Sequence, residues 1–569
     1  MKKMATTRKL KAAIFDMGGV LFQPPQHGIA KYAESLGLPK FFLESVMIKG
    51  RPNNAFCQME IGELTASQFC AKFEGECKTA AKEQGLTLPS HFSATEMVKS
   101  FSTGKMIPEI MNAVAVLKNN GFKTSVLTNN YIMDQNGGRG EEYVHGFLLL
   151  RMFFDQFVES CRMGIRKPNP DIYLETCKRL GVQPNEAVFL DDLGPNVKAA
   201  RELGMSTILV RDFNKALQEL QQLTGINVFE KAGPIPCKPQ QVAHCYATTK
   251  DGTKLHYAEM GQGPVLILCH GFPESWYSWR FQIPALAMAG YRVIALDQKG
   301  YGDSSSPDEI EEYTQEKLCA DIISLMDVLG IGQATFIGHD WGGVVVWNLA
   351  VWYPERTRAV AGVNTPYFPP NPDGNPLKKM YEKPGVFDYQ LYFQTPGVAE
   401  RELERDLHRT FNLFLSSTKK EDIKPGEKVI STAGVRDRGG ILVGLPEKPT
   451  LSTLLTQEDL EYYVQEYKKS GFRGPLNWYR NVETNWKWSL KAIGRKIMSP
   501  ALMVTAEYDL VLPEAASRHM DKWIPNLSRA HLKCGHWTQM EQPAELNKAL
   551  VEWLNKVHDQ HLPNVTSML

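Results

Sequence analysis

The chain has 569 residues, too many for one hydrophobic core, so two or more domains are expected. Its formal net charge is +1, with 64 basic and 63 acidic side chains, which leaves no electrostatic argument for nucleic acid or a charged membrane surface as a partner. Hydrophobic residues make up 43 %, and no stretch reaches the roughly 18 apolar residues of a membrane-spanning helix, so an integral membrane protein is not expected. The basic start Met1-Lys2-Lys3 leads into an apolar stretch that Asp16 interrupts, which argues against a signal peptide. Ten scattered cysteines form no Cys-x-x-Cys pair, so free thiols in a reducing compartment are the default.

The first half opens on a strand-like run, Lys11 to Asp16, that leads into Met17-Gly18-Gly19-Val20. Val126-Leu127-Thr128-Asn129, Arg166-Lys167-Pro168-Asn169-Pro170 and Ala187-Val188-Phe189-Leu190-Asp191-Asp192 follow. Short apolar runs alternate with longer amphipathic stretches, the pattern of a parallel α/β sheet. Asp, Thr, Lys and Asp-Asp in this order, over about residues 10–225, resemble the haloacid-dehalogenase-like phosphatases. The resemblance implies a Rossmannoid domain with a small helical cap. It implies Asp16 as nucleophile, Thr128 and Asn129 around the phosphate oxygens, and Lys167 as the neutralising cation. It also implies Mg²⁺ held by Asp16, the Gly18 carbonyl and Asp192, which are hard oxygen ligands.

Gly18 departs from that pattern. The phosphatases carry a second Asp there as general acid, and a glycine has no proton to give. Loss of such a group costs on the order of 10²–10⁴ in rate. Two readings stay open for this half: a weakened or altered phosphate monoesterase, and a scaffold with vestigial chemistry.

Between the halves, Gly233-Pro234-Ile235-Pro236-Cys237-Lys238-Pro239 cannot continue a helix and favours an extended spacer. The boundaries read from this are residues 1–225, a proline-rich linker at 226–245, and a second domain at 246–569.

In the second half, the strand-like run Pro264 to Cys269 leads into His270-Gly271-Phe272-Pro273. A turn of this kind before a nucleophile supplies one backbone N–H of an oxyanion hole, here that of Phe272. The run Ala334 to Ile337 then leads into Gly338-His339-Asp340-Trp341-Gly342-Gly343 and an apolar helix-like stretch. This is a strand–turn–helix context in which glycines let a sharp turn lift one side chain above a sheet. The lifted residue is Asp340, followed by Trp341 with the second oxyanion N–H. A carboxylate, with an ordinary pKa of about 3.9, needs no base to activate it. A Ser oxygen attacking an alkyl carbon would leave an ether, a dead end, whereas Asp leaves an ester that water can cleave. The residue type therefore points to substitution at saturated carbon, in an epoxide or a halide. Ala501 to Asp509 reads as a buried strand ending in an acid, and Cys534-Gly535-His536-Trp537 supplies a histidine. Nucleophile, acid and His in this order fit Asp509 orienting His536, which activates water.

These motifs, with Phe272-Pro273-Glu274-Ser275-Trp276, Phe387-Asp388-Tyr389-Gln390 and Gly474 to Arg480, resemble the epoxide hydrolases of the α/β-hydrolase fold. With the first half included, the resemblance to soluble bifunctional epoxide hydrolases runs through the whole chain. It implies a helical lid, at about residues 366–496, in which Tyr389 and Tyr479 bind the epoxide oxygen. It further implies a small apolar epoxide as substrate, no cofactor in this domain, a homodimer and a cytoplasmic location. The tail Ser567-Met568-Leu569 resembles a Ser-Lys-Leu peroxisomal address with Met in place of the basic residue. A haloalkane dehalogenase joined to a non-catalytic first domain is the alternative, since it shares the Asp, the turn and the His and uses Trp N–H donors for the halide.

Overall fold

The computed structural model describes residues 10–24, 26–101, 106–132, 149–419, 421, 423 and 428–559. They divide into two units, residues 1–233 and 234–569.

In the first unit the apolar runs become strands β1 (Ala12–Phe15), β2 (Lys123–Thr128), β3 (Gln156–Glu159), β4 (Ala187–Asp191) and β5 (Ser206–Leu209). They pair in parallel in the order β3-β2-β1-β4-β5. β1 and β4 are buried at every position, which explains their unbroken apolar sequence: helices cover both faces of a parallel sheet. Asp16, Thr128 and Asp191 all stand at the carboxyl ends of these strands, where doubly wound sheets place their ligands. Between β1 and β2 the chain leaves the sheet for five helices: Gln26–Ser35, Phe42–Ile48, Ala55–Glu60, Ala66–Glu83 and Ala94–Phe101. These close on their own core of Phe42, Met59, Phe69, Phe73 and Met97, forming the helical cap. The longest starts from Thr65, whose hydroxyl and the Gln68 side chain complete a reciprocal cap.

The proline-bearing stretch is attached at both ends. The Asn112 amide donates to the carbonyls of Val228 and Glu230 in the first unit, at 3.3 and 2.8 Å. The Cys237 N–H donates to the Arg280 carbonyl in the second, at 2.8 Å. His244 and Tyr246 already belong to β6 (Ala243–Thr248), the first strand of the second sheet.

That sheet continues through β7 (Lys254–Met260), β8 (Val265–Cys269), β9 (Arg292–Asp297), β10 (Ala334–His339), β11 (Thr357–Val363), β12 (Ala501–Ala506) and β13 (Leu527–Leu532). The order is β13-β12-β11-β10-β8-β9-β7-β6. Pairing is parallel except at the β9–β7–β6 edge, which is antiparallel. Phe272, Asp340, Asn364, Asp509 and His536 follow β8, β10, β11, β12 and β13, so one edge of the sheet gathers residues that are distant in sequence. The lid is inserted between β11 and β12. Its helices include Asp388–Tyr392, Val398–Glu404, Leu407–Phe414, Gln457–Ser470 and Arg473–Asn477.

Among the described residues no helix is long and apolar enough to cross a membrane. All ten cysteines are free thiols. The Ser567-Met568-Leu569 tail lies outside the described residues.

The passage from β10 to the helix Trp341–Trp352 leaves no room for a side chain at its glycines. A Cβ added at Gly342 would stand 2.1 Å from the Cys269 carbonyl oxygen, and one at Gly338 would stand 2.2 Å from the Gly342 oxygen. Gly342→Ala is therefore expected to destabilise the second unit by about 1–3 kcal/mol, read as a lower urea midpoint. Gly332→Ala, where an added Cβ meets nothing within 4 Å, is the matched control and should leave the midpoint in place.

Candidate active sites

In the second unit Asp340 has φ 51° and ψ −120°, a left-handed backbone that lifts its carboxylate above the sheet. The Phe272 N–H donates to Asp340 Oδ1 at 2.9 Å. Trp341 begins the helix directly after it. His536 Nε2 stands 3.8 Å from Asp340 Oδ2, and its Nδ1 donates to Asp509 Oδ2 at 2.9 Å. Asp509 accepts three further bonds, from the Asn364 amide at 2.8 Å and from the N–H groups of Val511 and Leu512 at 2.9 and 3.0 Å. Burial opposes its charge, but His536 and these donors hold the carboxyl well below the usual carboxylate range. Burial likewise opposes a charge on His536. The carboxylates of Asp509, Asp340 and Glu274 outweigh it and push the imidazole up to about 9.

Tyr389 and Tyr479 face this group from the lid. Both are buried, with ring centroids 5.8 Å apart. Tyr479 also meets the Phe272 ring at 5.2 Å and the Trp341 indole at 5.0 Å. Burial above all, and then nearby negative charge that includes Asp340, holds both phenols well above their ordinary pKa. They are neutral O–H donors across the accessible pH range.

Two residues inside the quoted motifs have a contact that the sequence did not predict. His339 Nδ1 lies 2.7 Å from Glu274 Oε2, and its Nε2 lies 2.7 Å from the His536 carbonyl oxygen. Glu274 also accepts from the Gly271 N–H at 2.7 Å and from the Gln539 amide at 2.5 Å. One fully buried carboxylate thus joins the Phe272 turn, the Asp340 strand and the His536 loop. Asn364 was missed as well. Its φ of 65° is a left-handed conformation that Asn tolerates better than most residues, a signal visible only in the structure.

In the first unit Lys167 Nζ stands 2.7 Å from both Asp16 Oδ1 and Asp191 Oδ2. Asp191 is further bound by the Asn196 amide at 3.1 Å and by the Leu193 N–H at 2.8 Å. Asn196 is another residue that sequence reasoning did not single out. Asn129 holds the backbone of Lys167 through bonds of 3.1 and 2.9 Å. The Thr128 hydroxyl donates to the Asn129 carbonyl at 3.4 Å. Burial, joined by the Asp191 and Asp192 carboxylates, pushes Asp16 up to about 8 against the pull of Lys167.

The carboxylates of Asp16, Asp191 and Asp192 each offer an oxygen within 4.8 Å of the others. Lys167 and, at Asp192, Arg211 are the cations that act on these three acids, and three clustered carboxylates suit a hard divalent cation such as Mg²⁺. Both Asp191 oxygens are bonded, by Lys167, the Asn196 amide and the Leu193 N–H, whereas Lys167 and the Met17 N–H meet only Oδ1 of Asp16, which leaves Asp16 Oδ2 and Asp192 as the freer donors. A Cβ at Gly19 would stand 2.4 Å from Asp192 Oδ2, so only bare backbone fits against this acid.

Two family models match the chain. They are the haloacid dehalogenase-like hydrolases over residues 10–204 and the alpha/beta hydrolase fold over residues 264–543. A relative from Sus scrofa, bifunctional epoxide hydrolase 2, is 50 % identical over 567 residues, covering 98 % of this chain and 100 % of its own. Its counterpart from Rattus norvegicus is 49 % identical over 563 residues, with the same 98 % and 100 % coverage. Among solved structures, an epoxide hydrolase from Vigna radiata is 33 % identical with a TM-score of 0.50, covering 56 % of this chain and 99 % of its own.

The raised His536 value has a definite sign. Stability gained from its protonated form is complete below the ordinary value of 6.5 and is lost as pH rises through about 9. An NMR titration of His536 is expected to give a midpoint near 9, and Asp340→Asn should lower it. An unchanged midpoint in the variant would show that the Asp340 charge does not reach the ring.

Proposed function

The chain belongs to the bifunctional epoxide hydrolase family, and from that premise we propose that its second unit converts epoxides to vicinal diols through an ester on Asp340. The observation that carries this reading is a carboxylate on the strand–helix turn, faced by two neutral phenols and by a histidine that a second carboxylate holds.

In the first half-reaction an Asp340 oxygen attacks an epoxide carbon and the carbon–oxygen bond breaks. The electron pair stays on the epoxide oxygen, an alkoxide too basic to leave unaided. Tyr389 and Tyr479 stabilise and protonate it. The product of this step is a hydroxyalkyl ester. Esterification removes the Asp340 charge, one of the three carboxylate charges that raise His536, so the ring gives up its proton more readily.

In the second half-reaction neutral His536 takes a proton from water, and the hydroxide attacks the ester carbon. Asp509 holds Nδ1 and balances the imidazolium. The oxyanion is met by the N–H groups of Phe272 and Trp341, the former already on Asp340 Oδ1 in the resting site. Collapse expels the second diol oxygen, and the imidazolium and the new carboxyl group give up their two protons, one to that oxygen and one to the phenolate left by the first step, which releases the diol and restores the Asp340 carboxylate.

The walls near Asp340 include Phe272, Trp341, Phe393 and the two tyrosines, which suits a small apolar epoxide. A haloalkane dehalogenase would use Trp341 but give the paired tyrosines no task. Homodimer assembly, a cytoplasmic location and a peroxisomal one remain part of the proposal on the strength of the resemblance.

For the first unit we propose a magnesium-assisted phosphate monoesterase with impaired leaving-group protonation. Mg²⁺, held by Asp16, Asp192 and the Gly18 carbonyl, would supply charge neutralisation at the transferring phosphoryl group. Asp16 would attack phosphorus, and Lys167 would balance the charge that develops. Gly18 supplies no acid.

The covalent route is tested by a single turnover with excess enzyme in ¹⁸O-water. Unlabelled diol is expected, because its new oxygen comes from Asp340, and Asp340→Ala should form none. Labelled diol in the first turnover would mean direct attack by water. In the first unit an aryl phosphate, whose leaving group needs no proton, should turn over on the order of 10²-fold faster than an alkyl phosphate. Equal rates with an inactive Asp16→Ala variant would mean that another group does the work of the missing acid.

A further inference from the structure

We infer that Gln394 is a positioning residue that sets the spacing of Tyr389 and Tyr479, an inference that rests on the epoxide reading of this site. Its side-chain amide donates from Nε2 to two backbone carbonyls, that of Gln390 at 2.8 Å and that of Tyr479 at 2.9 Å. Gln390 directly follows Tyr389. A primary amide nitrogen has two hydrogens, and here each is directed to one tyrosine-bearing segment. Because both partners are carbonyls, the orientation of the amide is fixed by chemistry.

The two segments need such a tie. Tyr389 lies in the helix Asp388–Tyr392, which continues the 3₁₀ turn Gly385–Phe387, and Tyr479 in the 3₁₀ turn Trp478–Asn481, which runs between the helices Arg473–Asn477 and Val482–Ser489. Their separation is set by what joins them, and Gln394 spans 85 residues of sequence to Tyr479. Arg480 braces the same gap. Its Nε donates to the Phe393 carbonyl at 2.9 Å, and its Nη1 reaches Glu400 at 2.8 Å and Asn477 at 2.9 Å. Ring opening needs both hydroxyls on one oxygen. Ester hydrolysis, which uses His536 and water, does not need them.

That asymmetry supplies the test. Gln394→Met keeps the length and removes both donors. Gln394→Glu keeps the shape and turns carboxylate oxygens towards the two carbonyls. In single turnovers quenched at short times, ester on the intact protein is followed by mass spectrometry. Ester formation is expected to fall about 10- to 100-fold in both variants, the scale of a misplacement of about 1 Å, with the rate of ester decay unchanged. In a Tyr479→Phe background the same substitutions should cost much less, since the spacing they disturb no longer matters. Equal losses in formation and decay, or an undiminished loss in the Tyr479→Phe background, would overturn the assignment and leave Gln394 a general stabiliser of the lid. A parent enzyme that forms no ester on Asp340 would instead overturn the epoxide reading, and the inference with it.

Discussion

The backbone of Asp340, at φ 51° and ψ −120°, is a conformation that side chains of L-residues avoid, and the second unit is arranged to hold it. A strain of this kind costs about 1–3 kcal/mol and persists only where its surroundings over-determine it. Here they do. β10 is flanked by parallel β8 and β11, which leaves the strand no freedom to shift. The Thr365 hydroxyl donates to the Asp340 carbonyl at 2.8 Å, and the Trp347 indole in turn holds the Thr365 carbonyl at 2.9 Å. Gly338, Gly342 and Gly343 sit where any Cβ would collide. The Gly343 N–H closes the first turn of the following helix on the Asp340 carbonyl, at 3.0 Å.

Once that side chain is raised, the rest of the site is a matter of bringing separate loops to it. Four other strands of the sheet contribute one each: Phe272 after β8, Asn364 after β11, Asp509 after β12 and His536 after β13. Loops of this kind need ties, and the ties are buried and polar. Glu274 binds the Gly271 N–H and the His339 ring, and His339 reaches the His536 carbonyl. Asn364 bridges from Asp509 to the Thr538 hydroxyl. Leaving one member of such a network unpaired costs more than the bond itself contributes, so these side chains constrain one another.

Much of this was legible in the sequence, and the limit has a physical cause. A motif that lies on one strand and its turn is written in consecutive residues. Asp16, Thr128, Lys167 and Asp192 could therefore be found, as could Phe272, Asp340, Asp509 and His536. The glycines at 338, 342 and 343 announced the tight turn before any contact was known. Contacts between segments carry no such local mark. Glu274 and His339 are 65 residues apart, and Asn364 and Asp509 are 145 apart. Nothing in either member's neighbourhood points to the other. The antiparallel β6–β7 edge escaped for the same reason, because an apolar run does not declare the direction of its partner. Asn196 stood near the Asp191-Asp192 pair, yet its bond to Asp191 depends on how the following helix begins.

Trp341 has one more consequence. Its indole stands edge-on to the Tyr479 ring at 5.0 Å and lies 6.1 Å from the Trp478 ring. In the proposed cycle the adjacent Asp340 alternates between an anion and a neutral ester. Indole emission responds to the local electric field, and here a full unit of charge comes and goes one residue away. The nucleophile thus has a chromophore built in beside it. The appearance and decay of the covalent state should be visible in the ultraviolet emission of the native chain, without any added label.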